Sequence, residues 1–346
     1  MKSIRATGWG AVSSAGWDVS AMIEPCLTGD RVAPSTIERT DQNGMTHTTR
    51  VAPVPKLTDR SLLPADTRLR RAAPLGKYAA AAVYEALGAE KFEAAKTETF
   101  RVAIIAQIMN GCVAYSNRFY GEVLQDPATA SPILFPETVY NAPSSHLSAM
   151  LHSPAPNDTL IGDAATWFTA VDLAAEWLLR DECDACIVCA MEELDWLNAE
   201  AVTLYHRSLV PSEGAAAVVF ERSTEGIELL TVPENVGYAE EPNRLTALRR
   251  VWEQLDTEGD PTTLWSDGRC GAPRYDRAET GLVESWPGPR ISARCLLGES
   301  MGAATGLQTV AALEMLKRQH AQRAVITAVG GNEGVGAAMF GNSNPT

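Results

Sequence analysis

The chain has 346 residues, 45% hydrophobic and 21% charged, a globular balance that excludes a disordered or low-complexity polymer. Lys plus Arg number 29 against 43 Asp plus Glu, and the net charge of -14 disfavours a nucleic-acid partner, which needs a basic surface. No window approaches about 18 consecutive apolar residues, the N-terminus lacks a long apolar secretory core, and seven cysteines are an odd number for a disulfide framework. The expectation is a cytoplasmic protein with reduced thiols and no membrane partner.

Length over about 150 residues per domain suggests two domain-sized units. Ser3 to Gly8 reads as a first strand, followed by a Gly-rich turn and a helix from Val19 to Thr28 that Gly29 closes. Residues 30–60 are polar with scattered Pro and read as a surface excursion. Leu75 to Leu87 is Ala-rich with helical spacing, and Gly88 is expected to end it. Arg101 to Ala106 is a continuous apolar run, the pattern of a strand covered on both faces. Thr159 to Gly162 is a short strand, Ala164 to Arg180 a helix, and Ala185 to Met191 and Ala215 to Phe220 are further buried strands. The alternation resumes after a break near 222–226: strands at Ile227 to Val232, Thr263 to Ser266 and Ile291, with helices at Pro242 to Leu255 and Gly302 to Arg318. Ala324 to Val329 and Val335 to Phe340 are the closing strands. Strands alternating with helices define an α/β class with largely buried sheets.

Six segments in order resemble the β-ketoacyl synthase family of the thiolase fold: RATGWGAVSSAGWDV, FPETVYNAPSSHLSAML, APNDTLIGDAATWFTA, SEGAAAVVFER, DRAE at 276–279 and LLGESMGAATG at 296–306. The resemblance implies two pseudo-symmetric βαβαβαββ halves, 1–222 and 223–346, in five layers. It also implies a dimer with the nucleophile region near the subunit interface, and no cofactor or metal.

The family's condensation uses a Cys at a helix start, where the helix dipole favours the thiolate, two His that donate to the developing oxyanion, and a supporting Lys. By the resemblance, Ala164 stands at the Cys position, Glu299 at one His, Asp267 at the other with one residue inserted, and Arg294 at the Lys. None of the five His lies in these motifs. Like charges about 4 Å apart repel by roughly 4 kcal/mol at an effective dielectric of about 20, so two carboxylates would oppose a malonyl group rather than assist it. The Gly-rich stretch AVGGNEGVGAAMF lacks the family's gating Phe.

Each remaining candidate has two readings. Asp163 is either a base facing an acyl pocket or the N-cap of the following helix. Glu299 and Asp267 are either an acid pair or carboxylates that fill former His space beside Arg294 and Arg269. Met109 and Cys112 lie in the stretch QIMNGCVAYSN, which by the resemblance lines the family's acyl pocket and dimer interface; Cys112 is either a relocated nucleophile or a small buried hydrophobe, and the latter is expected. Cys183, Cys186 and Cys189 have metal-like spacing, but residues three apart on a strand face opposite ways, and structural thiols are expected. Arg70 and Arg71 match the family's docking positions for acidic acyl carrier protein, or form a solvated helix face.

Three functions remain open on this reading. One is a non-condensing partner of an active ketosynthase, similar to a chain-length factor of fatty acid or polyketide biosynthesis. The others are an acyl-thioester hydrolase or acyltransferase using the acids, and a homodimeric acyl-binding protein. Expected partners are an active ketosynthase subunit or a second copy of the chain, and acyl carrier protein.

Overall fold

The structure, a computed structural model, describes residues 2–97, 100–239, 243–255, 257 and 260–342. The first half runs β1 (Ser3–Val12), α1 (Val19–Thr28), β2 (Ser35–Thr40), β3 (Thr46–Val51), α2 (Pro74–Ala95), β4 (Val102–Ile108), α3 (Val113–Gln125) and α4 (Ala142–Leu151). It continues with β5 (Asn157–Ile161), α5 (Thr166–Leu179), β6 (Ala185–Glu192), α6 (Trp196–Tyr205) and β7 (Gly214–Ser223). The second half runs β8 (Ile227–Thr231), β9 (Val236–Gly237), α7 (Arg244–Trp252), β10 (Thr263–Ser266), α8 (Pro273–Ser285) and β11 (Arg290–Ile291). It closes with α9 (Ala293–Leu297), α10 (Ala304–Lys317), β12 (Arg323–Val329) and β13 (Gly334–Gly341).

The strand order β5-β4-β6-β7-β1 is repeated as β11-β10-β12-β13-β8. In each run the first three strands are parallel, and the last two junctions are antiparallel. The two runs meet at β1 and β8, which share only the pairs Arg5–Glu228 and Ala6–Ile227.

Three hydrophobic clusters define five layers. Side chains alternate across a buried strand, so β6 sends Cys186, Val188 and Ala190 inward and Ile187, Cys189 and Met191 outward. The inner face packs with α5 and α10, including Trp167, Phe168, Val310 and Leu313. The outer faces are covered by α2 and α4 on the first run, and by α7 and α8 on the second. Trp167 and Phe168 are fully buried, worth roughly 2–3 kcal/mol each in apolar burial. The protein therefore has the thiolase-like α/β fold, and the two central helices bring the chemistry-bearing turns of both halves together.

Several local expectations are corrected. Residues 30–60 include a hairpin, β2–β3, whose reversal is set by Asp41 accepting from Asn43 N and Met45 N, and by Gly44 at φ 79. Gly88 does not end α2. It kinks the helix at φ 70, ψ 163, and the helix resumes to Ala95 because helix formers follow. Ala164 lies in the turn before α5 rather than in the helix. The helix expected from Pro242 is α7, from Arg244 to Trp252, and residue 242 itself lies outside the described residues. The stretch from Gly302 opens as a 3-10 turn at Met301–Ala303 before α10.

Candidate functional site

The turn between β5 and α5 carries Asp163 and Ala164. Gly162 N extends the β4–β5 ladder by donating to Ile108 O at 3.1 Å. Asp163 then accepts three backbone N–H bonds: Ala165 N on Oδ1 at 3.1 Å, and Asn332 N and Glu333 N on Oδ2 at 3.0 Å each. Gln107 Nε2 donates to its carbonyl at 2.8 Å. A Cβ at Gly330 would collide with the Asp163 carboxylate, so only glycine lets the 330–333 loop close on the turn. Asp163 is thus a brace between the β5–α5 turn and the Gly-rich loop, with both oxygens occupied. Ala164 is 4% exposed and presents a methyl group; its carbonyl accepts from Thr305 Oγ1 of α10 at 2.8 Å.

The facing wall comes from α9 and the turn behind it. Arg294 Nε and Nη2 donate to Glu299 Oε2 at 3.1 and 2.6 Å, and Arg294 Nη1 donates to Gly268 O at 2.9 Å. Met301 N donates to Glu299 Oε1 at 2.9 Å. Burial opposes the Arg294 charge, but Glu299 beside it holds the guanidinium above its ordinary range. The pair is a closed, charged unit with both carboxylate oxygens already accepting.

Asp267 is fully buried yet does not line the cleft. It accepts from Arg269 N, Nε and Nη2 at 3.1–3.2 Å and from Ser292 Oγ at 2.8 Å, with Arg290 Nε at 3.5 Å. Its carboxylate neighbour is Glu279 of α8, pushed up to about 8 by burial and then by the Asp267 charge. Glu279 is held by Gly268 N and Thr327 Oγ1.

A cleft opens between these walls. Met109, Val202, Leu209 and Met301 give it apolar walls, and Asp163, Ala164, Arg294, Glu299 and Cys270 also line it. Of the residues singled out in the sequence, it gathers Ala164, Asp163, Met109, Arg294 and Glu299; Asp267 and Cys112 are not among its lining. Cys112 is buried at the start of α3, with Sγ 3.8 Å from Val139 O, and burial pushes its thiol far up. Cys183 and Cys186 belong to the inner cluster and Cys189 to the outer one, so the three sulfurs do not converge. Arg70 and Arg71 are exposed at a 3-10 turn, Thr67–Arg70, and line a surface hollow with Glu137 and His146.

Sequence reasoning missed two buried acids behind the cleft. Glu192 accepts from Met109 N, Asn110 N and Gly302 N at 3.2–3.4 Å, and burial pushes it up to about 8. Glu193 accepts from Leu75 N and Ala114 N and is pushed up to about 7, again by burial. Their signal was available as two adjacent acids closing the apolar run ACIVCAM.

The sequence model of the β-ketoacyl synthase N-terminal domain matches residues 2–203, more than half of the chain. The chain belongs to the β-ketoacyl synthase family. No curated protein matches it in sequence. A chain of the ishigamide ketosynthase/chain length factor is similar over 98% of this chain and 99% of its own, at TM-score 0.76 and 18% identity. A chain of the ketosynthase ApeO in complex with its chain length factor ApeC, from Xenorhabdus doucetiae, is similar over 99% and 98%, at TM-score 0.79 and 14% identity. A β-ketoacyl synthase from Burkholderia phymatum is similar over 99% and 100%, at 0.75 and 18%. At these identities the likeness establishes the fold.

Proposed function

We propose that this chain is a non-condensing, chain-length-factor-like partner subunit of an active ketosynthase. The observation that carries the reading is Ala164: at the position that the resemblance gives to the nucleophile, a nearly buried methyl group lines the cleft in a braced turn before α5. The former His and Lys positions support the same reading. Arg294 and Glu299 close on each other, which makes a packed wall rather than a pair of hydrogen-bond donors. Solved proteins of the same fold include complexes of a ketosynthase with its chain length factor.

The partner face is the free edge of β5. Among the described residues this strand pairs only with β4, and Ile161 is 56% exposed there. Phe135, Val139 and Tyr140 also leave large apolar surface exposed on the segment between α3 and α4. An exposed edge with apolar side chains is a template for another strand. Arg70 and Arg71 then supply positive charge for an acidic acyl carrier protein, and Met109 walls the acyl path. Asp267 acts by holding Arg269, Arg290 and Ser292, and Cys112 fills space near Val139. All seven cysteines are free, consistent with work in the reducing cytoplasm. Hydrolase chemistry needs an acid free to exchange a proton with substrate, and both Glu299 oxygens are already engaged.

The test is co-expression with a Cys-bearing ketosynthase from the same source, followed by light scattering on the purified complex. A one-to-one heterodimer is expected. A stable homodimer that turns over acyl thioesters in the ketosynthase's absence would replace this reading with the enzyme alternative.

A further inference from the structure

Among the described residues, four that are not glycine have left-handed backbone: His152, Asp181, Met301 and Gln319. His152, Asp181 and Gln319 sit just past α4, α5 and α10, where that conformation is an ordinary helix terminator. Met301, at φ 49, ends no helix. It opens the 3-10 turn before α10, and it lines the cleft. A side chain on such backbone is strained, and the conformation persists only where the surroundings hold it.

Two buried acids hold it. Met301 N donates to Glu299 Oε1 at 2.9 Å, and the next amide, Gly302 N, donates to Glu192 Oε2 at 3.2 Å. Glu299 is itself fixed by Arg294, and Glu192 is 1% exposed at the end of β6. The Glu192 carboxylate also accepts from Met109 N and Asn110 N at 3.3 Å each. The backbones that carry Met109 and Met301, two walls of the cleft, are therefore tied to one carboxylate. A Cβ at Gly302 would lie 2.8 Å from Met109 N and 2.9 Å from Glu192 Oε2, so glycine lets the two segments meet this closely.

Met301 packs against the small cluster of Val202, Leu209 and Ala272, and Val202 and Leu209 are also cleft walls. A thioether side chain is flexible and adapts to gaps. Here its backbone is pinned at two successive amides, so it enters the cleft from a set direction. Moving it aside breaks the bonds to Glu299 and Glu192.

The geometry points to Met301 as the residue that limits how long an acyl chain the cleft accepts, with Glu192 and Glu299 as the residues that position it. The assignment rests on the reading of the cleft as an acyl site.

Titration calorimetry on the full chain, in whichever assembly it purifies, tests this with acyl N-acetylcysteamine thioesters of even length from acetyl to dodecanoyl. Affinity is expected to rise by up to about fourfold per methylene and then to stop rising at a limiting length. Met301→Gly moves that limit outward by about two carbons, the reach of the side chain removed. Glu192→Gln, which replaces an accepting oxygen with a donor, also moves it, and the double variant moves it by less than the sum of the two. Melting temperatures read the strain separately. Met301→Gly melts higher than Met301→Ala, because glycine takes left-handed backbone freely. A limit that Met301→Gly leaves in place, additive shifts in the double variant, or an alanine variant that melts above the glycine one overturns the proposal. A wild-type chain that binds none of the series overturns the acyl reading of the cleft and this proposal with it, whereas binding with an unmoved limit overturns the proposal alone.

Discussion

At residue 164 a nearly buried methyl group lines the cleft, in the turn before α5. Ala164→Cys would place a thiol just before α5, where the helix N-terminus favours thiolate. The variant is expected to gain an acyl adduct from a reactive acyl thioester, read by intact-protein mass spectrometry. It is not expected to form carbon–carbon bonds when malonyl carrier protein follows. Decarboxylation needs donors at the developing enolate, and losing one such donor typically costs about 2.7–4 kcal/mol. Efficient β-ketoacyl formation by the single variant would show that the acidic wall supports chemistry. A second expectation concerns that wall. Glu299→Ala strands the buried Arg294 charge and should cost about 3–5 kcal/mol of stability in urea unfolding. A loss below about 1 kcal/mol would mean that the pair is not closed as described. Ala164, Arg294 and Glu299 were legible because each sits inside a contiguous motif. Glu192 showed in the sequence only as an acid closing an apolar run, and its setting did not, because the N–H groups that hold it come from residues 109, 110 and 302, which the fold brings near. Asp267 was placed in the right turn but not in the cleft, because Arg269, Arg290 and Ser292 capture its carboxylate from another side.

Among the elements, β5 carries the proposed partner face. It is short, lies at the sheet edge, and ends at the turn that carries Ala164. Replacing Ile161 by Lys puts a charge on an exposed apolar edge, a substitution that blocks strand addition. It should weaken the complex with the ketosynthase at least tenfold while leaving the melting temperature of the isolated chain within a few degrees. An unchanged affinity would move the interface elsewhere. Most strands were readable from apolar runs, since strands covered on both faces lose the polar alternation. The β2–β3 hairpin was missed for the opposite reason: its strands are solvated, with exposed and half-buried residues alternating. The α2 kink was misread because Gly88 carries a stop signal, yet the following residues are good helix formers.

Across the whole molecule, buried carboxylates give stability a pH dependence with a definite sign. Burial raises Glu85 and Glu193 to about 7, and Glu192 and Glu279 to about 8. Between the unfolded value of 4.5 and these values the folded chain keeps protons that the unfolded chain releases. Stability is therefore expected to fall as pH rises from about 5 to 8, by up to about 1.4 kcal/mol per pH unit for each group inside its window. The carboxylates with lowered values, such as Asp184 beside Arg101, act below that range. Urea midpoints across the interval should decline, and Glu192→Gln should flatten the slope; a midpoint that climbs with pH would contradict the burial argument.

The central claim is that a complete ketosynthase scaffold has been kept without its condensing chemistry. Time-resolved mass spectrometry of carrier-bound acyl chains measures this directly, with acyl and malonyl carrier protein supplied to the chain alone and to the chain with its ketosynthase. The account predicts no β-ketoacyl product from the chain alone, and products from the pair whose length distribution differs from that of the ketosynthase by itself. A β-ketoacyl product formed by this chain alone would contradict it.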